Sequence, residues 1–324
     1  MQLGHYPDPR HIIAHLSDPH LLSRGGRQYG VIDPEPGLRR ALDRLAGLPQ
    51  PPQALVFTGD LADLGEPAAY ERLGELVEPV AAEFGAQVIW VMGNHDERPV
   101  YSAALFGDAS QLPQDRVYDV AGLRVIALDT SVPGWHHGEV TDEQLDWLDD
   151  VLATPAPYGT LLAMHHPPVP LPLDGANVAL ELDRQDRLAA VLAGTDVRSI
   201  LAGHLHYSTH STFVGIPVSV ASASCFTVAL ATPGRFHSAV EGHQALSMVH
   251  LYDEGAGGVT GAPVVHSTLP LGDAAEIAGY PTEMADQLAR LSFAERRELL
   301  SRKGASARRL RAEMRASGHI PTVG

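Results

Sequence analysis

Five short apolar segments of this sequence each end in a group of polar residues that carry carboxylate, imidazole or amide side chains. The groups are SDPH at 17–20, GDLAD at 59–63, GNHD at 93–96, HH at 165–166 and GHLH at 203–206. Ligand sites in open α/β sheets lie just outside the carboxyl ends of the strands. Because the same side-chain chemistry recurs at five predicted strand ends, the sequence favours a fold in which these ends meet.

Each group alone has an ordinary structural explanation. Gly, Asn and Asp are common turn residues, and an Asp before a helix can act as its cap. A chain with 17 histidines also buries some of them for packing alone. Taken together, however, the five groups favour a functional site, because all of them place metal-competent side chains at predicted strand ends.

The apolar segments alternate with segments of helical periodicity. Strands are predicted over 11–16, 54–58, 87–92, 160–164 and 198–202, helices over 37–48, 67–84, 143–152 and 184–192, a hairpin over 117–128, and β-rich segments over 212–222 and 246–252. Thr141 and Gln144 form a capping-box pattern at the start of one helix. This alternation predicts an α/β fold with sheets covered by helices on their outer faces.

Two segments lie outside this alternation. Residues 226–244 lack clear periodicity, and we expect a long loop there. Residues 284–316 are predicted to form one or two helices beyond the core. The sequence therefore predicts a catalytic domain over 1–270 and a C-terminal helical extension over 271–324.

The charge balance restricts the partners of this protein. The sequence has 23 Lys and Arg against 39 Asp and Glu, a formal net charge of −16. Such a chain has no basic stripe to displace counterions from a nucleic acid, so we expect no polymeric nucleic acid partner. Residues 294–315 carry eight Arg and Lys, but this pattern is typical of a solvated or partner-facing helix.

The chain shows no sign of export or membrane insertion. It has one cysteine, Cys225, which excludes an internal disulfide and fits a reducing compartment. Its first ten residues lack a basic stretch followed by an apolar one, and no apolar run reaches the roughly 18–20 residues that span a bilayer. We therefore expect a cytoplasmic protein with no membrane span.

The polar groups supply carboxylate, imidazole and amide oxygen ligands without thiolates. The candidate metal ligands are Asp18, His20, Asp60, Asn94, His165, His204 and His206. This mixture suits Mn, Fe or Zn better than Ca, which binds oxygen ligands only. Seven ligands are too many for one tetrahedral ion and suit two. Two ions joined by a bridging carboxylate favour in-line displacement at phosphorus, so phosphoester hydrolysis is the predicted reaction.

The ordered pattern D-x-H, G-D, G-N-H-D, H, G-H-x-H runs from Asp18 to His206 and resembles the calcineurin-like metallophosphoesterase family. The resemblance implies a four-layer α/β sandwich of two mixed sheets flanked by helices. It further implies that one metal binds Asp18, His20 and His206, that the other binds Asn94, His165 and His204, and that Asp60 bridges both. A hydroxide between the two metals would then be the nucleophile for in-line attack.

The resemblance also implies roles for the residues around the metals. His95 would act as a general acid toward the leaving oxygen or as an electrostatic partner of the phosphoryl group, and Asp96 would orient it. Contacts with the substrate are expected from Asn94, His95, His137 and His206. Position 63, where purple acid phosphatases of the family have a tyrosine ligand, is an aspartate here, which disfavours that branch.

Longer segments narrow the resemblance within the family. FTGDLAD at 57–63 with GEPAAY at 65–70, LDTSVPG at 128–134 and GHLHYS at 203–208 are similar to the bacterial class III 3′,5′-cyclic nucleotide phosphodiesterases. This similarity implies hydrolysis of cyclic AMP, with cyclic GMP as an open possibility, to the 5′-monophosphate. It also implies iron and manganese as the metals, with zinc as an alternative, and a homodimer.

Three alternatives to the cyclic nucleotide phosphodiesterase hypothesis follow from the same fold. A glycerophosphodiesterase or a broad-specificity phosphodiesterase would share the whole metal set, so the motifs do not separate them. A DNA nuclease is disfavoured by the charge of −16. A non-catalytic scaffold with the same fold is disfavoured by the complete set of seven ligands.

Overall fold

The structure is a computed structural model that describes residues 3–23, 25–277 and 282–302. The chain divides into two compact units, and the larger comprises Arg10–Leu251 and Val264–Gly272. Its strands, with those of the rest of the described chain, are β1 His11–Leu16, β2 Ala54–Thr58, β3 Gln87–Val91, β4 Arg116–Val120, β5 Leu123–Leu128, β6 Thr160–Met164, β7 Val197–Ala202, β8 Thr209–Phe213, β9 Ile216–Val220, β10 Thr227–Val228, β11 Ala239–Val240, β12 Ala245–Leu251 and β13 Val264–Pro270. The helices are α1 Glu35–Ala46, α2 Pro67–Phe84, α3 Arg98–Phe106, α4 Asp142–Leu152, α5 Asn177–Leu180, α6 Gln185–Leu192, α7 Thr282–Ala289 and α8 Phe293–Ser301.

The larger unit contains two mixed sheets. The first has the strand order β13-β12-β1-β2-β3. In it β1, β2 and β3 pair in parallel, and β12 pairs antiparallel with both β1 and β13. The second has the order β4-β5-β6-β7-β9-β8, with parallel pairing from β5 to β9 and antiparallel strands at both edges. In the second sheet the parallel strands form the centre, whereas in the first sheet they run from the central strand β1 to the edge strand β3.

Apolar side chains from the two sheets pack against each other. Ile13, Val56 and Val91 of the first sheet share one core cluster with Ala163 and Leu201 of the second. The opposite face of the first sheet packs on α1, α2 and α3, and the opposite face of the second packs on α4 and α6. The layers are therefore helix, sheet, sheet and helix, and the predicted four-layer sandwich is confirmed.

The central strands are apolar along their whole length because both of their faces are buried. All residues of β1, β2 and β6 are buried, which is the pattern expected of parallel strands covered on two sides. The strands predicted at 11–16, 54–58 and 160–164 match β1, β2 and β6 residue for residue. The predicted capping box is also present, with Thr141 accepting from the Gln144 amide at the start of α4.

Several elements differ from the prediction. Helix α3 was not predicted, since it buries only Tyr101 and Ser102 and so has no clear apolar face. Strand β13 was not predicted either, because it is a half-exposed edge strand without a continuous apolar run. The segment expected to be one long loop, 226–244, contains the short antiparallel pair β10 and β11.

The smaller unit includes the described part of the C-terminal region. Its helices α7 and α8 bury Met284, Leu288 and Leu299 in a small apolar cluster that also includes Leu3. The remainder of the helical segment predicted over 284–316 lies outside the described residues, and the division at residue 270 stays a prediction. No helix in the described ranges has both the length and the apolar character needed to cross a bilayer.

Candidate metal centre

The parallel strands of both sheets place the seven candidate ligands in one cluster. Asp18 and His20 follow β1, Asp60 follows β2, Asn94 follows β3, His165 follows β6, and His204 and His206 follow β7. All of these side chains are buried except that of Asn94, which is partly exposed. Residues up to 188 positions apart in sequence thus meet at the carboxyl edge of the two sheets.

Four of the candidate ligands form a first group, in which the possible ligand atoms of Asp18, His20, Asp60 and His206 all lie within 4.8 Å of one another. The Nε2 atoms of His20 and His206 are 3.1 Å apart. Asp18 Oδ1 lies 3.4 Å from His206 Nε2. Such close approach of two imidazole nitrogens and a carboxylate oxygen is typical of atoms that share one cation.

The other candidate ligands form a second group around His165. Its Nε2 atom is 3.1 Å from both Asn94 Oδ1 and His204 Nδ1. Asp60 Oδ2 lies 3.3 Å from His165 Nε2 and also 3.3 Å from His20 Nε2 of the first group. One carboxylate oxygen therefore lies between the two groups, which is the position that the bridging ligand of a two-metal centre requires.

The ligand atoms of the cluster do not all satisfy one another by hydrogen bonds, and bound metal ions would satisfy them. Asp18 Oδ1 is buried and has no hydrogen-bond partner. Leaving a buried carboxylate oxygen without a donor is costly, and a bound cation would remove this cost. The first and second groups both supply nitrogen and oxygen ligands, which suit Fe, Mn or Zn.

In three of the four candidate histidine ligands, the ring nitrogen that faces away from the cluster pairs with an oxygen. His20 Nδ1 lies 2.9 Å from Asp63 Oδ1, and His206 Nδ1 lies 3.0 Å from the Phe226 carbonyl oxygen. His165 Nδ1 lies 2.7 Å from the Thr58 carbonyl oxygen. Because these oxygens only accept, each Nδ1 donates a proton, which leaves Nε2 as the atom that binds a metal once it carries no proton. The tautomers are thereby set for metal binding.

The buried carboxylates change the acidity of the rings beside them. Burial acts to lower the pKa of His20, but Asp60, Asp63 and Asp18 raise it to about 10. Burial likewise opposes the charge on His165, while Asp60 and Asp18 raise its pKa to about 9. In the absence of metal, protons on these rings balance the carboxylates, so metal ions must displace protons to bind.

The backbone at the ligands is strained. Asp18, His20, Asp60, His204 and His206 have positive φ angles of 50°, 44°, 50°, 69° and 56°. Non-glycine residues rarely adopt this left-handed conformation, which costs of order 1–3 kcal/mol each where the side chain gives no local compensation. Five of the seven candidate ligands therefore have backbones that only the surrounding fold can hold in place.

Two glycines allow the turns to approach this closely. A Cβ atom on Gly93 would lie 2.2 Å from the Asp60 backbone nitrogen and 2.3 Å from its Oδ1. A Cβ atom on Gly203 would lie 1.9 Å from Ser17 Oγ and 2.8 Å from Asp18 Oδ2. The glycine in each motif thus leaves the space that the carboxylate of a neighbouring turn occupies.

The expected contact between Asp96 and His95 is wrong. The Asp96 carboxylate accepts hydrogen bonds from the backbone amides of Gly93, Leu61 and Ala62 and from the Tyr70 hydroxyl, at 2.7–3.1 Å. The turn directs this side chain back into the protein, where it joins the ends of β2 and β3. The His95 ring instead pairs through Nδ1 with the Asp63 carbonyl oxygen, 2.9 Å away.

The structure also changes which loop histidine faces the cluster. His136 lines the same cleft as His95 and Asn94, and its Nδ1 lies 3.0 Å from Asn94 Nδ2. His137, the predicted substrate contact, does not line this cleft and lies in a neighbouring surface depression with Trp135 and His136. Of the two adjacent histidines, only His136 lines the cleft of the ligands, and the sequence carries no signal that separates them.

Sequence reasoning missed the residues that support the ligands. Asp63 and Thr58 orient His20 and His165, and His166 donates from Nε2 to the His136 carbonyl oxygen, 2.9 Å away. Asp63 lies in the same polar group as Asp60, which was a usable signal. The Thr58 contact is made by a backbone oxygen, so no side-chain pattern could have revealed it.

Replacing the shared carboxylate tests the arrangement directly. We expect Asp60→Asn to reduce the metal content from about two ions per chain to one or fewer and kcat/KM by at least about 10²-fold, because an amide supplies less charge between the groups. Metal content is measured by elemental analysis of purified protein. Asp43→Asn, the same change on the exposed face of α1, should retain both ions, and full activity in Asp60→Asn would contradict the bridging position.

Metal binding should depend on pH in a defined direction. His20 and His165 have raised pKa values of about 10 and about 9, so both imidazole rings are protonated on both nitrogens in the metal-free protein at pH 7. Loading with Mn²⁺ at pH 7 should therefore release about two protons, and the affinity should increase as the pH rises toward 9. Calorimetric titration in buffers of different ionisation enthalpy measures the number released, and binding without proton release would contradict these protonation states.

Comparisons with known proteins agree with this geometry. The family model described as calcineurin-like phosphoesterase matches residues 11–208. A probable cyclic nucleotide phosphodiesterase from Rhodococcus erythropolis is 52% identical over 299 residues, covering 92% of this chain and 96% of that protein. A cAMP/cGMP dual specificity phosphodiesterase from Mycobacterium tuberculosis is 51% identical over 273 residues, covering 84% of this chain and 83% of that protein.

A solved structure supports the fold independently of close sequence similarity. A dimetal phosphatase from Danio rerio superposes with a TM-score of 0.55 at 18% identity, covering 82% of this chain and all of that one. At this identity the likeness concerns the fold alone. With its family match, its close relatives and its sandwich architecture, the chain belongs to the calcineurin-like phosphoesterase family.

Proposed function

We propose that this protein is a metal-dependent phosphodiesterase that hydrolyses 3′,5′-cyclic AMP, and to some extent cyclic GMP, to the 5′-monophosphate. The observation that carries the proposal is the position of Asp60 Oδ2, at 3.3 Å from one histidine of each ligand group. The substrate class is supported by the two relatives that are about half identical to this chain over most of its length.

The seven converging residues would hold two metal ions, for which we propose iron and manganese, with zinc as the alternative. These ions would neutralise charge on the phosphodiester and lower the pKa of the attacking water. Asp18, His20 and His206 would hold one ion, and Asn94, His165 and His204 the other. Asp60 would contact both ions and fix their separation.

His95 is the proposed proton donor to the leaving 3′-oxygen. Its backbone amide donates to Asp60 Oδ1 at 2.8 Å, which places the residue directly beside the shared carboxylate. Its Nδ1 donates to the Asp63 carbonyl oxygen, and Asp63 Oδ1 lies 3.6 Å from the same nitrogen. Nε2 then carries the proton toward the cleft, where His95 is about one third exposed.

Asn94 and His136 are proposed to place the phosphodiester in the cleft. Asn94 directs its Oδ1 atom to the second ligand group and donates from Nδ2 to His136 Nδ1. His136 is held in turn by its own carbonyl oxygen, which accepts from His166. His136 therefore replaces His137 as the proposed loop contact, while Asn94, His95 and His206 keep their proposed contacts with substrate.

A homodimer and a cytoplasmic location complete the proposal. The dimer rests on the resemblance to class III phosphodiesterases, and the location rests on the single cysteine, which fits a reducing compartment. The substrate, an intracellular signalling nucleotide, is consistent with both.

A substrate panel tests the proposed function. Metal-loaded protein should hydrolyse cyclic AMP with a kcat/KM at least about tenfold above those for glycerophosphocholine and bis(p-nitrophenyl) phosphate, because the relatives that are about half identical to this chain are named cyclic nucleotide phosphodiesterases. Turnover of cyclic AMP no better than that of the activated diester would contradict the signalling substrate. Protein that binds two ions but hydrolyses no diester would instead be a scaffold.

A variant of His95 distinguishes an effect on catalysis from an effect on metal binding. We expect His95→Ala to lower kcat for cyclic AMP by about 10²–10⁴-fold, the usual contribution of a general acid, with the metal content unchanged. The comparison is with His210→Ala, which removes an exposed imidazole from β8 and should have wild-type kcat. Loss of metal in His95→Ala would show that this residue is a ligand and not the acid.

A further inference from the structure

We propose that Tyr29, Phe226 and His237 form a subsite for the nucleobase of the substrate, which we call the base subsite. This inference rests on the function proposed above and adds residues that the resemblance did not supply. All three residues line the cleft that contains the ligands His20, His204 and His206. None of them belongs to the two ligand groups, so their chemistry is available to the part of the substrate that extends beyond the phosphate.

The first component of the base subsite is an aromatic surface that begins at a ligand. The Phe226 ring packs on the His206 ring, with centroids 4.3 Å apart and planes inclined by 39°. Tyr29 meets Phe226 edge-on, with centroids 5.3 Å apart and planes inclined by 72°. The aromatic surface thus runs from the metal centre to the solvent.

Tyr29 is placed in a way that packing does not explain. Its side chain is 73% exposed, and its φ angle of 50° is unfavourable for an aromatic residue. The loop is nevertheless tied to the metal centre, since the Gln28 amide donates to Asp63 Oδ1 at 3.2 Å. An exposed, strained tyrosine on an anchored loop offers a flat surface, and flat nucleobases bind by stacking on such rings.

The second component is a histidine oriented by a buried carboxylate. His237 Nδ1 lies 3.2 Å from both oxygens of Asp174, whose side chain is only 1% exposed. Because a carboxylate only accepts, Nδ1 of the neutral imidazole donates to Asp174, and in that tautomer the Nε2 lone pair accepts from another group. Burying the Asp174 carboxylate costs free energy of desolvation. Its pairing with His237 Nδ1 fixes the orientation of the imidazole ring.

The segments that carry Asp174 and His237 are joined by backbone hydrogen bonds. The Gly175 amide donates to the Phe236 carbonyl oxygen at 3.1 Å. Within the first segment, the Ala176 amide donates to Asp174 Oδ1 at 2.9 Å and so fixes the carboxylate. The antiparallel pair β10 and β11 joins the two ends of the loop that contains His237. His237 is therefore held relative to Phe226, which immediately precedes β10.

These two components match the shape and polarity of a nucleobase. A base has a flat face that stacks on Tyr29 and an edge that carries hydrogen-bonding groups. His237 Nε2, as an acceptor, fits the exocyclic amino group of adenine. Leu180 and Val228 provide an apolar wall in the same cleft. The base subsite should therefore select for a base with an amino group, while the metals act on the diester.

Three substrates with the same ring phosphodiester test the base subsite in metal-loaded protein. Cyclic AMP has the base with its amino group, cyclic IMP has a purine without that amino group, and the 3,5-cyclic phosphate of 1-deoxyribofuranose has no base. Tyr29→Ala should lower kcat/KM for cyclic AMP by about tenfold or more, the usual effect of losing one stacked ring, and change the base-free substrate by less than about twofold. Tyr29→Phe, which keeps the ring, should retain the wild-type values.

His237→Ala should bring the ratio of kcat/KM between cyclic AMP and cyclic IMP close to one. Val31→Ala and Arg235→Ala are the controls, because both residues are exposed in the same two loops and neither lines the cleft. Equal losses on the base-free substrate and cyclic AMP, or no loss on either, would overturn the base subsite. Wild-type protein that hydrolyses glycerophosphocholine but none of the three ring diesters would show that the proposed function, and with it the subsite, is wrong.

Discussion

The structure depends on the burial of two carboxylates, Asp18 and Asp60, at the meeting point of its two sheets. Each loses its hydration, and this loss must be balanced by positive charge or hydrogen bonds. Part of the balance comes from backbone amides, since His204 N donates to Asp18 Oδ2 at 3.0 Å and His95 N donates to Asp60 Oδ1 at 2.8 Å. The remaining carboxylate atoms face imidazole nitrogens, which bind protons or metal ions.

The surrounding fold holds these buried groups together. Five strands bring the ligand turns to one edge, and the left-handed backbone of five ligands is tolerated because the neighbouring turns are fixed. Asp96 is central to this fixation, since its carboxylate joins the turns after β2 and β3 through three backbone amides. Its contribution is therefore structural support for the cluster, whereas His95 faces the cleft.

Much of the fold and the cluster could be predicted from sequence because both depend on residue type and position along strands. Apolar runs buried on two faces identify β1, β2 and β6, and the polar groups that follow them identify the residues that converge. The direction of a side chain within a turn is not encoded in this way. Asp96 points into the protein, and His136 rather than His137 points into the cleft, because of local backbone geometry that only the three-dimensional structure shows.

The supporting contacts were also beyond sequence reasoning, since several use backbone oxygens. The carbonyl groups of Thr58 and Phe226 orient His165 and His206, and any residue at those positions could provide them. The same limitation applies to the cleft above the metals. Its residues Tyr29 and His237 come from loops without periodicity, so their proximity to the ligands follows only from the fold.

The most direct test of this account is anomalous diffraction from crystals of the metal-loaded protein. Two anomalous peaks are expected, separated by about 3.5–4 Å, with the Asp60 carboxylate in contact with both. Asp18, His20 and His206 should surround one peak, and Asn94, His165 and His204 the other. A single peak, or two peaks of which only one contacts Asp60, would contradict the account.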